Sequence, residues 1–373
     1  MSRFLYYLIL INMLTNMVAI TPRFLIAGNK TGSVAALIPA LIIGMVLTYY
    51  LVRLFSFFPE QGLPEILKKN TPKWIATPLL LFFSLTWYFV GLSILIIYAA
   101  IIFRFLTPEM SIYTIILAFV LVTTFGIFMA SRNILYMSEI ILLIVVPFIL
   151  FVQIKGYFSP NLDWDYIRVA IMHINHLPNY TSFSTSLFIV LGAANLVIFN
   201  RCFAKLKKPS GKSMVLLSFI CTYILLTTYF LPLGFGGFDS LENVVFPWIT
   251  TSDSMRMKFG IVERIVFFFV GAFLALGVIN ITIIWHVSIH LLSSVIHFNR
   301  FKVRSVNLTF PIFISIFWII AFILTRRITI NDLFRSAALF DDILLPIILF
   351  LLFGSLLLAK RRGAATKCPK SQK

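Results

Sequence analysis

The sequence has few acidic residues and little charge of either sign. Of its 373 residues, 13 are Asp or Glu and 31 are Lys or Arg, so charged residues make up only 12% of the chain and the formal net charge is +18. Soluble domains carry about a quarter charged residues. Since 60% of this chain is hydrophobic, a soluble fold would have to expose large apolar patches. The composition therefore excludes a soluble globular domain.

Cysteines, metal-ligand spacings and catalytic motifs are also scarce or missing. The three cysteines, Cys202, Cys221 and Cys368, form no CxxC pair and no zinc-binding pattern. His286 and His290 have the i, i+4 spacing that can hold a metal, but no third ligand or general-base Glu lies between them. The chain has no P-loop, dinucleotide-binding glycine motif, nucleophile elbow or HExxH motif. We therefore expect no enzyme activity, no cofactor and no metal site.

Apolar runs long enough to cross a bilayer follow one another along almost the whole chain. A membrane-spanning helix needs about 20 consecutive apolar residues. The runs are residues 4–27, 34–57, 78–103, 112–130, 134–154, 185–203, 214–233, 261–292, 308–325 and 343–359. They predict an all-α membrane protein with about ten transmembrane helices. We assign residues 1–362 to a single transmembrane domain and residues 363–373 to a disordered basic tail in the cytoplasm.

The basic residues lie in short gaps between these runs, which favours membrane orientation over nucleic-acid binding. With the N-terminus inside, most Lys and Arg residues fall on the inner face, and most acidic residues, including Asp341 and Asp342, fall in outer gaps. Lys and Arg are enriched in cytoplasmic loops. Both termini are therefore predicted to be cytoplasmic. We expect the lipid bilayer as a partner and no nucleic acid.

Ten spans divide into two halves of five, about residues 1–155 and 184–362. Because five is odd, the second half would cross the membrane in the opposite direction to the first. Transporters built from such inverted repeats bind their ligand near the midplane, where the first helix of each half is broken. Spans one and six are therefore the places to look for a ligand site.

Span six contains an interruption and span one contains buried polar residues. The segment Leu191-Gly192-Ala193-Ala194-Asn195 weakens a helix and ends in an amide. Span one carries Asn12, Thr15 and Asn16 at mid-depth and meets Pro22 near its outer end. One interpretation is a pocket whose freed backbone groups and amides hold the carboxylate and ammonium of an amino acid. The other is helix packing, since small residues and Asn are common where membrane helices touch.

Spans three and eight would flank such a pocket. Span three offers Tyr88, which has a ring and a hydroxyl, and Gly91, and span eight offers Gly277 and Asn280. A packing or interfacial role is equally open for the aromatic side chain.

One acidic residue lies inside an apolar run. Glu139 follows Arg132 by seven positions, so the two share a face of span five. We predict an ion pair between them, which is either a structural pair or a functional membrane-embedded charge.

Several segments of the chain, taken in order, carry a resemblance to a known family. They are Ile20-Thr21-Pro22-Arg23, Phe58-Pro59-Glu60-Gln61-Gly62-Leu63-Pro64-Glu65, Ser131-Arg132 with Ser138-Glu139-Ile140, Phe246-Pro247, and Val262-Glu263-Arg264-Ile265. No single segment is specific, but together they cover almost the whole chain and resemble the B subunit of the spore germinant receptors, a family akin to amino-acid permeases.

The resemblance implies a fold, a location and partners. The fold would be the LeuT-like five-plus-five inverted repeat, and the protein would lie in the inner membrane of the dormant bacterial spore. It would bind a nutrient germinant, often an amino acid, and signal germination together with an A subunit and a lipoprotein C subunit. The pocket would lie between spans one, three, six and eight.

We carry the pocket onto the matching positions of this chain. The candidate ligand-binding residues are Asn12, Thr15, Asn16, Tyr88, Gly91, Gly192, Ala193, Ala194, Asn195, Gly277 and Asn280. Relatives often have a glycine at the break in span one, but this chain has none before Gly28. The depth and extent of unwinding in span one therefore stay open.

Two other functions remain alternatives. The same broken spans suit an amino-acid transporter coupled to protons or sodium. A structural or channel subunit that binds no small molecule would use the small and polar residues for packing alone.

Overall fold

The computed structural model describes residues 2–204, 206, 209–242, 244–255, 265–296, 302–303, 306–307 and 309–366. Side chains are described as far as Gly354, apart from those of the two short strands. Two features of the sequence analysis lie outside these residues: Glu263 and Arg264 at the start of span eight, and the tail from residue 367 onward, which includes Cys368.

Helices account for nearly all of the first half of the chain. They are α1 (Arg3–Ala19), α2 (Thr21–Ala27), α3 (Ser33–Ser56), α4 (Leu63–Asn70), α5 (Lys73–Phe105), α6 (Ile112–Ile127) and α7 (Ser131–Tyr157). A short helix, α8 (Trp164–Met172), and a 3₁₀ turn (His173–Asn175) lead into the second half.

The second half starts with a helix that changes its winding. Its elements are α9 (Tyr180–Val190), a 3₁₀ segment (Leu191–Asn195), α10 (Leu196–Phe199), a second 3₁₀ segment (Asn200–Cys202), α11 (Gly211–Leu241), α12 (Pro247–Ser254), α13 (Ile265–Val295), α14 (Thr309–Arg327) and α15 (Ile330–Thr366). Strands β1 (Lys302–Val303) and β2 (Val306–Asn307) pair antiparallel between α13 and α14.

The described helices confirm an all-α membrane protein. Eight helical segments are long and apolar enough to cross a membrane, and the bent pair of α1 and α2 makes a ninth. Helix α6 is apolar but has only 16 residues. It covers residues 112–127 of the predicted fourth span and is shorter than the other spanning helices.

Span one breaks closer to its C-terminal end than its polar residues indicate. Helix α1 is continuous through Asn12, Thr15 and Asn16 and ends at Ala19, where the axis bends by 51° into α2. Pro22 lies in the first turn of α2. Proline has no N–H and its ring clashes with the preceding turn, so it cannot continue α1 but can begin a new helix. The bend therefore needs no glycine.

Span six changes its winding at the predicted segment. After Val190 the chain tightens from α-helix to 3₁₀-helix over Leu191–Asn195, and the carbonyl of Phe188 accepts from the N–H of Leu191. The interruption is thus a local tightening and not an extended strand. Nearly all of span six is buried among the other helices, which places its interruption at the centre of the bundle.

Helix α1 crosses the 3₁₀ segment at Gly192. A Cβ built on Gly192 would lie 2.7 Å from the Cα of Ile9 and 2.9 Å from the carbonyl oxygen of Leu8. Both are backbone atoms, which cannot move aside as a flexible side chain can. Glycine is required here because the two backbones touch.

The last helix begins earlier than expected. The tenth span was predicted to start at Ile343, with Asp341 and Asp342 in an outer gap, but α15 begins at Ile330 and carries both residues inside the helix. The expectation was wrong because it treated acidic residues as a boundary, although a helix can bury one on its inner face. Helix α15 also continues to Thr366, beyond the predicted end of the transmembrane domain at residue 362.

We predict that Gly192→Ala lowers the stability of the protein and that Gly271→Ala does not. The new methyl group at position 192 would force α1 away from the 3₁₀ segment, and overpacking of this kind costs about 1–3 kcal/mol. No described atom lies within 4 Å of a Cβ built on Gly271, which is also inside a spanning helix. Thermal unfolding of both variants in the same detergent is the measurement. Equal melting temperatures would contradict the close crossing.

Candidate functional site

Asn12 connects the two interrupted spans. Its Nδ2 donates to the carbonyl oxygens of Phe188, at 2.8 Å, and of Ile189, at 3.1 Å. These carbonyls lie in the last turn of α9, where the change to 3₁₀ winding disturbs the regular i, i+4 pattern. Asn16 donates from Nδ2 to the Asn12 carbonyl at 2.8 Å and reaches its Oδ1 at 3.3 Å. Asn16 thereby orients the amide that satisfies the interrupted helix.

A second amide lies at the far end of the 3₁₀ segment. Asn195 is buried, and its Oδ1 accepts from Nε1 of Trp87 on α5 at 2.9 Å. Because a buried indole N–H needs an acceptor, this bond fixes the Trp87 ring against span six.

A cavity lies between these two amides. Its volume is about 50 Å³, several times the roughly 10–15 Å³ that one water molecule needs. The lining residues come from five spans: Asn12 of α1; Thr86, Trp87 and Val90 of α5; Phe188, Leu191, Ala194 and Asn195 of span six; Ile284 of α13; and Phe340, Leu344, Ile347 and Ile348 of α15.

The lining is uncharged and mostly apolar. Its polar members are two amides, Asn12 and Asn195, the Trp87 indole and the hydroxyl of Thr86, which donates to the Phe82 carbonyl at 2.9 Å. Small-molecule sites are commonly apolar with a few placed polar groups. The cavity therefore suits a small molecule that has an apolar body and groups able to bond to amides.

Of the eleven candidate residues, three line this cavity: Asn12, Ala194 and Asn195. Gly192 instead packs against the backbone of α1. Asn16 donates a hydrogen bond to the carbonyl of Asn12, and Ala193 is fully buried within the 3₁₀ segment. Thr15, Gly277, Tyr88 and Gly91 belong to two other clusters, and Asn280 is buried on α13.

One cluster joins α1, α5 and α13 beside the break in span one. The hydroxyl of Thr15 donates to the Leu276 carbonyl at 3.3 Å, and the hydroxyl of Tyr98 donates to the Thr15 carbonyl at 3.1 Å. A Cβ on Gly277 would lie 3.0 Å from the Tyr98 ring, so the lack of a side chain at Gly277 leaves room for that ring. Sequence reasoning missed Tyr98, although its hydroxyl inside an otherwise apolar run was a usable signal.

The other cluster joins α5, α13 and α14. The ring of Tyr88 stacks on Trp285 with centroids 5.9 Å apart, and its hydroxyl donates to the Phe317 carbonyl at 3.0 Å. A Cβ on Gly91 would lie 2.5 Å from the Trp285 ring. Tyr88 and Gly91 therefore position helices and do not line the cavity.

Asn280 is fully buried on α13, and neither of its side-chain polar atoms has a hydrogen-bond partner among the described residues. The Oδ1 of Asn16 also has no hydrogen-bond partner among the described residues. Buried amides are normally satisfied, so these atoms have spare capacity for a water or a ligand group.

The predicted pair of Arg132 and Glu139 is wrong. Glu139 accepts from Arg3 at 3.3 Å and from the Tyr7 hydroxyl at 3.2 Å, so it joins α7 to the start of α1. The guanidinium of Arg132 lies over the ring of Tyr136, 5.8 Å from its centroid. A residue at i+4 is nearer on a helix surface than one at i+7, which explains the preference of Arg132.

The two histidines of α13 are held by protein groups. Nδ1 of His286 faces the Ile127 carbonyl at 3.2 Å and therefore donates, which leaves Nε2 to accept from the Ser131 hydroxyl at 2.8 Å. His290 lies 3.5 Å from Arg201, which forms a bidentate pair with Glu65. Among the described residues, no group of three or more His, Cys, Asp and Glu has the spacing of a metal site.

Sequence reasoning also missed the contribution of span ten. Phe340, Leu344, Ile347 and Ile348 form a stripe at helical spacing that closes one side of the cavity. Most of the residues around this stripe are apolar as well, so the stripe gives no signal of its own.

Comparison with known proteins agrees with this architecture. No curated protein matches the chain. The family model described as spore germination protein, a permease-like family, matches residues 2–331, which include α1 to α14 and therefore four of the five spans that line the cavity. The chain thus belongs to the spore germination protein family and is a multi-pass, permease-like membrane protein.

Proposed function

We propose that this chain is the nutrient-sensing membrane subunit of a spore germinant receptor and that it binds a small germinant, an amino acid, in the cavity between α1 and span six. The observation that carries the proposal is that the cavity lies where the 3₁₀ segment meets Asn12 and Asn195. Membership of the spore germination protein family supplies the biological setting.

The order of elements supports a five-plus-five repeat. Each half has an interrupted span, a long span, a short helix of 8 residues (α4 or α12), a very long span of 33 or 31 residues (α5 or α13), and two further helices. This is the order that an internal duplication produces. We therefore propose the LeuT-like inverted repeat, with ten spans and both termini in the cytoplasm.

The proposal also places the protein in the inner membrane of the spore, in a complex with an A subunit and a lipoprotein C subunit. A binding subunit without a catalytic site needs partners to convert binding into germination. The lipoprotein would meet this chain at its outer face, where α8 exposes Trp164 and Met172.

We predict that Ala194→Leu raises the nutrient concentration needed for germination at least tenfold. Ala194 is partly buried and lines the cavity, so three added carbon atoms occupy the space of the ligand. Ala272→Leu is the matched control, because Ala272 is also partly buried but lies outside the cavity on α13. The measurement is the dose response of spores that carry each variant at equal protein level.

Two results would contradict this prediction. A normal response in the Ala194→Leu spores would place the nutrient site elsewhere. An equal loss in the Ala272→Leu spores would mean that both substitutions act through folding.

A working transporter is the second candidate, because an interrupted first span in each half is the arrangement of secondary transporters. Uptake of a labelled amino acid into vesicles that contain only this chain is the deciding measurement. We expect binding, seen as a rise in melting temperature with ligand, without uptake. Uptake driven by a proton or sodium gradient would favour the transporter, and neither binding nor uptake would favour a structural subunit.

A further inference from the structure

Helix α15 carries a carboxyl group deep inside the bundle. Asp341 is the twelfth residue of the candidate span Ile330–Gly354, and its side chain is only 1% exposed. At 1.5 Å per residue, it lies about 16 Å from the start of that helix. The neighbouring Asp342 bonds to Tyr180 and Ser184 of α9, so Asp341 lies level with the first turns of that helix.

Among the described residues, no cation forms an ion pair with Asp341. Its Oδ2 has no hydrogen-bond partner among the described residues, and it takes part in none of the ion pairs found there. The adjacent Asp342 is satisfied: its Oδ1 accepts from the Ser184 hydroxyl at 2.6 Å, and its carbonyl accepts from the Tyr180 hydroxyl at 2.7 Å.

An ionised Asp341 would be costly in this position. An isolated charge in a low-dielectric interior is not tolerated, and such a group normally becomes neutral. The nearest charged group acting on it is Asp342, whose negative charge adds repulsion. The helices packed against α15 are α9, α3 and α5; from these helices no cation makes an ion pair with Asp341 in the described part of the chain.

Asp341 also lies next to the cavity. Leu344 and Ile348, which line it, follow Asp341 by three and seven positions and so share its face of the helix. Phe340, the preceding residue, lines the cavity as well and packs edge-on against Phe188 of α9. A change in the packing of α15 on α9 would therefore alter the surroundings of Asp341 and the cavity together.

We propose that Asp341 is a proton-binding site inside the helix bundle, about one helical turn from the cavity. While α15 is packed on α9, the Asp341 carboxyl group carries a proton. When α15 separates from α9 and water reaches the site, the proton leaves. The ligand of this site is the proton itself, and binding at the cavity and proton release are linked because the same helix face serves both.

The first experiment is infrared spectroscopy of the full-length chain purified in detergent at neutral pH. We expect the wild-type minus Asp341→Asn difference spectrum to contain the carbonyl-stretch band of a protonated carboxyl group. Asp342→Asn is the matched control and should retain that band. Absence of the band from the first difference spectrum would overturn the proposal, because Asp341 would then be ionised and paired with an unseen cation.

The second experiment uses the pH dependence of melting temperature. A folded chain that holds a proton which the unfolded chain releases must lose stability as pH rises. Asn imitates the protonated carboxyl, so the wild type should fall below Asp341→Asn as pH increases, while Asp342→Asn should follow the wild-type slope. A difference that does not change with pH would count against proton binding.

The conservative variants cover the case in which Asp341→Asn does not fold. Asp341→Glu should shift the frequency of the carboxyl band and Asp342→Glu should leave it unchanged. The reverse pattern would assign the proton to Asp342 and refute the proposal. None of these measurements uses the nutrient, so their result is independent of the proposed sensing function.

Discussion

The architecture depends on the requirement that backbone polar groups within a bilayer find partners inside the protein. A helix that changes its winding there disturbs its own hydrogen bonds, and here the amide of Asn12 donates to the carbonyls of Phe188 and Ile189. One side chain of span one thus stabilises the interruption of span six. Individual bonds between membrane helices contribute about 1–2 kcal/mol or less, so the main consequence is the relative position of the two spans.

The cavity follows from that position. Small residues in the 3₁₀ segment let α1 approach until Gly192 touches the backbone of α1, and the larger side chains of α5 and α15 cannot fill the space left beside Ala194. The hydrogen bond from Trp87 to Asn195 fixes the Trp87 ring at the cavity wall. The same features that the sequence offers for helix packing therefore also create a site, so the two interpretations of the 3₁₀ segment are not exclusive.

Hydropathy predicts the spans well because each must match the thickness of the bilayer, and Gly192 to Asn195 marks the interruption because small residues weaken a helix. Side-chain partners are less predictable. Tyr88 and Gly91 were assigned to the pocket from their span, yet the rotation of α5 directs them toward Trp285. Where apolar residues occupy most positions of a helix, no periodic pattern specifies which face meets which neighbour, and this is why the contribution of α15 was not foreseen.

The surroundings of acidic residues are also hard to predict from the sequence. The preference of Lys and Arg for the cytoplasmic side predicts an orientation for the chain, but acidic residues contribute little to that rule and do not report depth. Asp341 and Asp342 are adjacent in sequence, yet Asp341 is buried with its Oδ2 unsatisfied among the described residues, whereas Asp342 bonds to α9. Successive residues of a helix point about 100° apart, so two adjacent acids in a packed helix face different surroundings. The physical role of each therefore depends on the neighbouring helix and not on its charge.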